Sequence, residues 1–152
     1  MKQIKNILLA LLLMLSGNAI AQDAASKILG TYKVPSPFTD DIAKVKITQS
    51  KNGTYSGRIV WVNKPNKEDG TPVTDEKNPD PKLRTRKATE IVMFWNLRYD
   101  KEEWVEGILY DPYSGKKFGV KFSLEKNGKD LKARYYKGKP AFGINATWTK
   151  ES

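Results

Sequence analysis

Residues 117–124 read KFGVKFSL and carry the clearest alternation of apolar and polar side chains in the sequence. Apolar side chains stand at Phe118, Val120, Phe122 and Leu124, and polar ones at Lys117, Lys121 and Ser123. Because successive side chains of a β-strand point to opposite faces, this pattern predicts a strand with one buried face. Turn sequences flank the strand, namely Asp111-Pro112-Tyr113-Ser114-Gly115 and Asn127-Gly128.

Segments of the same kind precede and follow this strand, and short turns join most of them. Eight strands are predicted in all, at residues 28–34, 44–47, 54–62, 90–97, 104–110, 117–124, 131–136 and 144–149. No helical periodicity of useful length interrupts them. A meander with one apolar face removes its exposed edges by closing on itself, so we predict an all-β, eight-stranded antiparallel up-and-down barrel. A two-sheet sandwich is the alternative.

The faces predicted to point inward are rich in aromatic rings. These rings belong to Tyr55, Trp61, Trp95, Trp104, Tyr110, Phe118, Phe122, Tyr135 and Trp148. An eight-stranded barrel either holds one small ligand or is filled by its own side chains, and both outcomes stay open. If a pocket exists, we expect its aromatic lining to come from Trp61, Trp95, Trp104, Tyr110 and Tyr135.

A long irregular segment at residues 63–87 separates the third and fourth predicted strands, and its most distinctive part is Asn78-Pro79-Asp80-Pro81-Lys82-Leu83-Arg84-Thr85-Arg86. Proline cannot donate to a strand ladder, so this part forms a loop. Arg84 and Arg86 could bind the carboxylate or phosphate head of a ligand. Alternatively, Asp75 and Asp80 pair with these arginines and hold the loop down. Three polar residues are predicted to structure loops: Asn78, Asp80 and Asp111.

Catalytic chemistry has few candidates, because the chain contains no histidine and no cysteine. This excludes serine–histidine triads, cysteine nucleophiles and ordinary zinc or copper sites. Three acids remain as candidates for a carboxylate-based hydrolase: Asp80, Glu106 and Asp111. Glu106 shares a predicted face with Trp104, which places it at the barrel mouth or paired inside. We predict a protein that is not an enzyme and has no metal and no cofactor.

The amino terminus predicts export. Lys2 and Lys5 precede an apolar run at residues 7–15, and Ala19-Ile20-Ala21 has the small-x-small pattern that precedes signal-peptide cleavage. We therefore expect a signal peptide at residues 1–21 and one β-barrel domain at residues 22–152. The run is too short for a transmembrane anchor, and the expected location is the periplasm or the extracellular space of a bacterium.

The chain is strongly basic, since its formal charge is +10, and loss of Lys2 and Lys5 lowers that value by two. Export argues against nucleic acid as a partner, which leaves anionic lipid headgroups, acidic glycans and acidic proteins. The lysines are spread over many segments, which also agrees with a merely soluble basic surface. The oligomeric state stays open.

Several short motifs occur together in one order and spacing. They are Gly30-Thr31-Tyr32, Gly57-Arg58-Ile59-Val60-Trp61, Asn78-Pro79-Asp80-Pro81-Lys82-Leu83-Arg84, Tyr110-Asp111-Pro112, Ser114-Gly115-Lys116, Leu131-Lys132-Ala133-Arg134, Phe142-Gly143 and Thr147-Trp148-Thr149. In this arrangement the chain resembles the exported bacterial proteins classed as domain of unknown function 2147, over essentially its whole length after the signal peptide.

This resemblance implies a small lipocalin-like barrel and no established activity. Lipocalin-like barrels commonly bind small apolar molecules, which implies ligand binding by analogy of fold. Two positions depart from the family pattern, because Tyr32 stands where tryptophan is usual and Lys150 where arginine is usual. If those residues stack at the closed end of the barrel, the pair in this chain should be weaker.

Two functions follow from these observations. The first is an exported protein without catalytic activity that binds a small apolar, amphipathic or anionic molecule inside the barrel. The second is an interaction module that docks an acidic partner or glycan of the cell envelope through the basic loop.

Overall fold

The computed structural model describes residues 19–152. Residues 19–26 are helical, and Ile28 is fully buried just after them. Most of the predicted signal peptide lies outside the described residues, so the cut after Ala21 stays a prediction.

Eight antiparallel strands form one closed barrel, in which each strand pairs with its neighbours in sequence. The strands are β1 (Gly30–Pro35), β2 (Ile42–Gln49), β3 (Tyr55–Val62), β4 (Val92–Asp100), β5 (Glu103–Asp111), β6 (Lys116–Leu124), β7 (Leu131–Tyr136) and β8 (Gly143–Lys150). Pairing of β1 with β8, with Tyr32 opposite Lys150, closes the barrel. The predicted up-and-down barrel is confirmed, and the sandwich alternative is excluded.

Large side chains fill one end of the barrel, which we call the closed end. The indole of Trp148 packs against the ring of Phe122, with centroids 4.9 Å apart, and against Phe94 at 6.0 Å. Trp104 lies in the same core, packs against the tilted ring of Tyr99 with centroids 5.1 Å apart, and donates its indole N–H to the carbonyl of Ala25 at 3.0 Å. Burial of such rings is the main source of stability in a chain without disulfides.

Register shifts in β3 and β4 change which side chains face inward. Between β2 and β3, Lys44 pairs with Trp61 but Val45 pairs with Ile59, so Val60 is an extra residue. An extra residue turns the following side chain to the other face. Trp61 consequently lies on the outer surface, where its side chain is 44% exposed and the Lys44 ammonium lies 5.3 Å from its ring centroid.

A similar shift places Trp95 outside. Between β3 and β4, Arg58 pairs with Val92 but Gly57 pairs with Phe94, so Met93 is an extra residue. Phe94 is fully buried, and Trp95 beyond it points outward, where the Lys117 ammonium lies 5.5 Å from the Trp95 ring centroid. The prediction that Trp61 and Trp95 face the interior is wrong. It assumed strict alternation of side chains along each strand, and an extra residue in the strand breaks that alternation.

Glu106 lies at a third irregularity, between Trp104 and Gly107 of β5, and has a φ of 62°. Its carboxylate faces solvent and accepts two hydrogen bonds from Arg98, at 2.6 and 2.9 Å. The hydrogen bonds from Arg98 hold the pKa of Glu106 below its usual value. Glu106 therefore lies neither at the barrel mouth nor inside the barrel.

Candidate functional site

A cavity opens at the end of the barrel opposite the closed end. Four connections surround it, at residues 36–41, 63–91, 112–115 and 137–142, because all four follow strands that run toward this end. The cavity volume is about 740 Å³, which falls within the range of roughly 300 to 1,000 Å³ that is typical of small-molecule pockets. The barrel is thus filled at one end and open at the other.

Apolar side chains from the strands form the inner wall of the cavity. They belong to Val34, Ala43, Ile59, Val62, Ile91, Met93, Leu109 and Phe118. These positions lie nearer the open end than the packed aromatic core, so the wall continues the core without filling the space. The wall can hold an apolar group of a ligand away from water.

Tyr135 joins the cavity to the closed end. It is among the residues that line the cavity, and its hydroxyl accepts a hydrogen bond of 2.6 Å from the Trp148 indole N–H. Burial raises the pKa of Tyr135 to about 12, so this hydroxyl is neutral at ordinary pH. It therefore keeps its proton as a donor within the mostly apolar lining.

Polar groups are concentrated at the mouth of the cavity. Lys64 contacts Asp40 at 2.7 Å and Asp41 at 3.0 Å, and the Tyr113 hydroxyl donates to Asp41 at 2.7 Å. The hydrogen bonds from Tyr113 and Lys64 lower the pKa of Asp41, while burial and the nearby carboxylate raise that of Tyr113 to about 12. This cluster ties the connection at residues 36–41 to its neighbours.

The charges along the mouth are balanced. Among the described residues that line the cavity are four lysines and four carboxylates, namely Lys64, Lys67, Lys77, Lys137, Asp41, Glu68, Glu76 and Asp111. Lys67 also forms an ion pair with Glu76. The mouth therefore carries no net charge that would select strongly for an anionic or a cationic ligand.

The long connection at residues 63–91 is held against the outer wall by one buried carboxylate. Asp75 is fully buried and accepts hydrogen bonds from the Tyr110 hydroxyl at 2.6 Å, from the Asn78 amide at 2.8 Å and from Arg86 at 2.8 Å. Burial and the hydrogen bond to Asp75 raise the pKa of Tyr110. A buried carboxylate is stable only when it is paired in this way. Asp75, Asn78, Arg86 and Tyr110 therefore fix the long connection to the barrel, and we call these four residues the lock.

Arg84 and Asp80 complete the folding of this connection. Arg84 donates to the carbonyl of Asn78 at 2.8 Å, and the Asp80 carboxylate accepts from the Lys82 N–H at 3.0 Å at the start of a short 3-10 helix, Pro81–Leu83. Packing is tight, since a Cβ on Gly115 would lie 2.0 Å from the Lys77 carbonyl oxygen. The loop-structuring roles predicted for Asn78 and Asp80 agree with these contacts.

Of the residues predicted to bind a ligand, Tyr135 is the one that lines the cavity. Trp104 is buried in the closed end, and Tyr110 follows the inward-facing Leu109, so it points outward beneath the long connection. Arg84 and Arg86 are not among the lining residues, because their guanidinium groups bind Asn78 and Asp75. The alternative in which an aspartate and an arginine hold the loop is confirmed for Asp75 and Arg86.

The alternation pattern missed the rim of the cavity. Phe38, Tyr113 and Phe142 stand in three of the four surrounding connections and are 75%, 50% and 79% exposed. A sequence signal for them did exist, since in an up-and-down barrel alternate connections meet at the same end. Aromatic residues in those connections could have been assigned to one rim.

The three candidate acids for catalysis lie on separate elements, and each accepts hydrogen bonds from groups near it. The Asp111 carboxylate accepts from the Tyr113 N–H at 3.0 Å and from the Ser114 hydroxyl at 2.6 Å, which stabilises the turn between β5 and β6. Asp80 begins the 3-10 helix, and Glu106 pairs with Arg98 on the outer wall. This arrangement gives no acid and base across a common cleft.

Two further observations apply to residues 19–152. No group of three or more side chains of the types that bind metals lies together in this part of the chain. No helix within the same residues is long and apolar enough to cross a lipid bilayer.

Comparisons with known proteins agree with the geometry. A family model described as "Uncharacterized protein conserved in bacteria (DUF2147)" matches residues 30–150. Among solved structures, protein HP1028 from the human pathogen Helicobacter pylori, which is described as belonging to the lipocalin family, superimposes with a TM-score of 0.69. The two are 25% identical, over 82% of this chain and 83% of that one.

A point mutant of the fluorescent protein UnaG gives a TM-score of 0.45 at 13% identity, over 84% of this chain and 98% of that chain. No curated protein matched the chain in a sequence comparison. The family model covers the barrel from its first strand to its last, and HP1028 has the same architecture. The chain therefore belongs to the bacterial family DUF2147, and its fold is a lipocalin-like barrel.

Proposed function

We propose that this protein binds a small, mainly apolar molecule in the cavity at the open end of the barrel and does not act on it chemically. The observation that carries the proposal is the cavity of about 740 Å³, with an apolar wall and a polar mouth. Such a combination is typical of pockets that enclose most of a ligand and orient it by a few polar groups. The ligand has its apolar part against the wall and a polar end at the mouth.

The charges and polar groups of the cavity restrict the kind of ligand that it can bind. Its mouth has balanced charges, and Arg84 and Arg86 are engaged elsewhere, so a strongly anionic head is not required. The Tyr135 hydroxyl is a neutral group that a ligand can reach at the inner end. An amphipathic molecule with an uncharged or singly charged polar end is the best match.

We further propose that the protein is exported to the periplasm or extracellular space of a bacterium, as its amino-terminal sequence predicts. The alternative of a docking module that uses the basic loop loses support, because Arg86 holds Asp75 and Arg84 holds the Asn78 carbonyl.

The test is ligand capture in the native host. The protein is purified from its own organism and examined by native mass spectrometry, in which a copurified small molecule appears as added mass. In parallel, a fluorescent fatty-acid analogue is titrated into protein that has been stripped of bound lipid. Saturable binding at one site supports the proposal, and the absence of both a copurified molecule and probe binding contradicts it.

A matched pair of variants places the binding in the cavity. Ala43→Phe adds a ring to the cavity wall, whereas Thr48→Phe adds the same ring at an exposed position of the same strand. Filling the cavity should weaken probe binding at least tenfold, and the control should leave it unchanged. Equal affinities for the two variants would show that the probe binds elsewhere.

A further inference from the structure

The rim of the cavity exposes two phenylalanines to solvent. Phe38 lies in the connection at residues 36–41 and Phe142 in the connection at residues 137–142, and they are 75% and 79% exposed. The two connections are neighbours, because β1 pairs with β8 and both strands reach the open end. Exposed apolar groups that are clustered at one place mark a surface for binding.

Hydrogen bonds hold both connections in shape, so the exposure of the rings is a property of the fold. Arg134 on β7 donates to the carbonyls of Pro140 at 2.7 Å and Ala141 at 2.9 Å, directly before Phe142. In the other connection, the Ser36 N–H donates to the Asp41 carbonyl at 2.9 Å. Each ring is therefore presented outward at a low cost in conformational entropy.

The positive charge near these rings is concentrated beside Phe142. Lys137 and Lys139 lie in the same connection as Phe142, which contains no acid. Asp40 and Asp41 lie near Phe38, but Lys64 contacts both of them, at 2.7 and 3.0 Å. Lys64, Lys137 and Lys139 against Asp40 and Asp41 leave a net charge of +1 beside the two rings, whereas the lining of the cavity itself is balanced.

We propose that the open end of the barrel docks on an anionic lipid bilayer, with Phe38 and Phe142 inserted among the lipid chains and Lys137 and Lys139 at the headgroups. Exposed rings beside lysines are the combination by which a peripheral protein binds such a surface. The same rim surrounds the cavity, so docking directs the mouth toward the hydrocarbon layer. An apolar ligand then passes between bilayer and cavity without crossing water.

Cosedimentation with lipid vesicles tests this proposal. The protein is produced from the full-length gene, and its amino terminus is established by mass spectrometry so that all variants are compared in the same processed form. It is mixed with vesicles of phosphatidylcholine alone or with a third of phosphatidylglycerol. We expect binding to the anionic vesicles that weakens as salt increases.

Two double variants test whether the vesicles bind at the rim. Phe38→Ser with Phe142→Ser should weaken binding to anionic vesicles at least tenfold. Lys137→Gln with Lys139→Gln should weaken it by about tenfold or more, since each lysine near an anionic surface contributes about 1 kcal/mol. The charge-matched control is Lys51→Gln with Lys126→Gln, which changes two exposed lysines at the closed end and should leave binding unchanged.

Several results would overturn the proposal. The first is that the wild-type protein does not bind the vesicles. The second is that the double serine variant binds them as well as the wild-type protein does. The third is that the closed-end control loses as much binding as the Lys137→Gln, Lys139→Gln variant. Light scattering shows whether the rings instead join two copies, in which case the wild-type protein is a dimer and the serine variants are monomers. The Ala43→Phe variant separates this proposal from ligand binding, because it should lose the fatty-acid probe but keep vesicle binding.

Discussion

The Lys150 ammonium lies 5.6 Å from the centroid of the Tyr32 ring, and these two residues pair across the seam between β1 and β8. The same ammonium donates to the Lys27 carbonyl at 3.0 Å, and burial lowers the pKa of Lys150. Tyr32 and Lys150 are therefore in contact at the closed end of the barrel. They form a cation–π pair that closes the barrel at its packed end.

Removal of this cation should weaken the seam. We expect Lys150→Met to lower the free energy of unfolding by about 1 kcal/mol, the typical value for a partly desolvated cation–π pair, and Lys150→Arg to retain it. Lys117→Met is the control, because the Lys117–Trp95 contact lies on the exposed outer surface. Urea denaturation of the three variants measures the difference, and equal losses for Lys150→Met and Lys117→Met would contradict the prediction.

Loss of Arg86 from the lock should strongly destabilise the protein, because the buried Asp75 carboxylate is then left without a cation. We expect Arg86→Met to lower the free energy of unfolding by about 3 kcal/mol. Arg84→Met, which removes a hydrogen bond to a carbonyl oxygen, should cost about 1 kcal/mol. Urea denaturation checks both values.

The double variant Asp75→Asn with Arg86→Met should be less destabilised than the sum of its single variants, since it removes the charge together with its partner. Additive losses would mean that Asp75 and Arg86 do not stabilise each other.

Gly57 provides space for the core. A Cβ at this position would lie 2.2 Å from Cε1 of Phe94, so the ring crosses β3 directly over the glycine. We expect Gly57→Ala to lower the free energy of unfolding by about 1 to 3 kcal/mol through overpacking. Adding Phe94→Leu should recover part of that loss in thermal denaturation, and a further loss in the double variant would exclude overpacking as the cause.

Alkaline pH should destabilise the barrel. The pKa values of Tyr113 and Tyr135 are raised to about 12 in the folded protein, by burial in the first place. Between about pH 10 and pH 12 the unfolded chain loses these protons while the folded chain keeps them, so stability that is fully present below about pH 10 is lost. The lowered pKa of Lys150 acts in the opposite direction, because the folded form releases that proton first.

Urea denaturation at several pH values, with tyrosinate absorbance followed in parallel, measures this effect. Tyr135→Phe should reduce the decline between pH 10 and pH 12 by at most about 1.4 kcal/mol per pH unit. An unchanged decline in that variant would show that Tyr135 ionises alike in both states.

Processing of the amino terminus has a direct test. We expect the mature protein to begin at Gln22, and intact mass spectrometry of the periplasmic fraction and the medium measures this. Ala21→Tyr, which places a bulky side chain at the predicted cut, should block processing. A wild-type protein that still begins at Met1 would contradict the prediction.

The architecture was predictable because local patterns report it directly. In β6, Val120 and Phe122 are fully buried and Phe118 lines the cavity, as their alternation predicted. Such a pattern decides the register of a strand because one face must be buried. Closure of the barrel followed from the number of strands and the absence of long connections between most of them.

The site was less predictable for two physical reasons. Extra residues such as Val60 reverse the faces of a strand without leaving a sign in the sequence, which is why Trp61 was assigned to the interior. The role of Arg86 depended on whether Asp75, eleven positions earlier, would be buried beside it, and this is a property of the folded loop. The local sequence does not show whether a strand has an extra residue relative to its partner strand. Nor does it show which side chains a loop residue contacts in the folded protein.

The hydrogen bond between Trp148 and Tyr135 marks the boundary between the two ends of the barrel, and this boundary matters for how such sequences diverge. Residues on the closed side are constrained by close packing, so most replacements there would be eliminated by selection for folding. Residues on the cavity side line the cavity and are less closely packed, so they can vary at little cost to stability. One inherited scaffold can therefore give rise to descendants with different ligands.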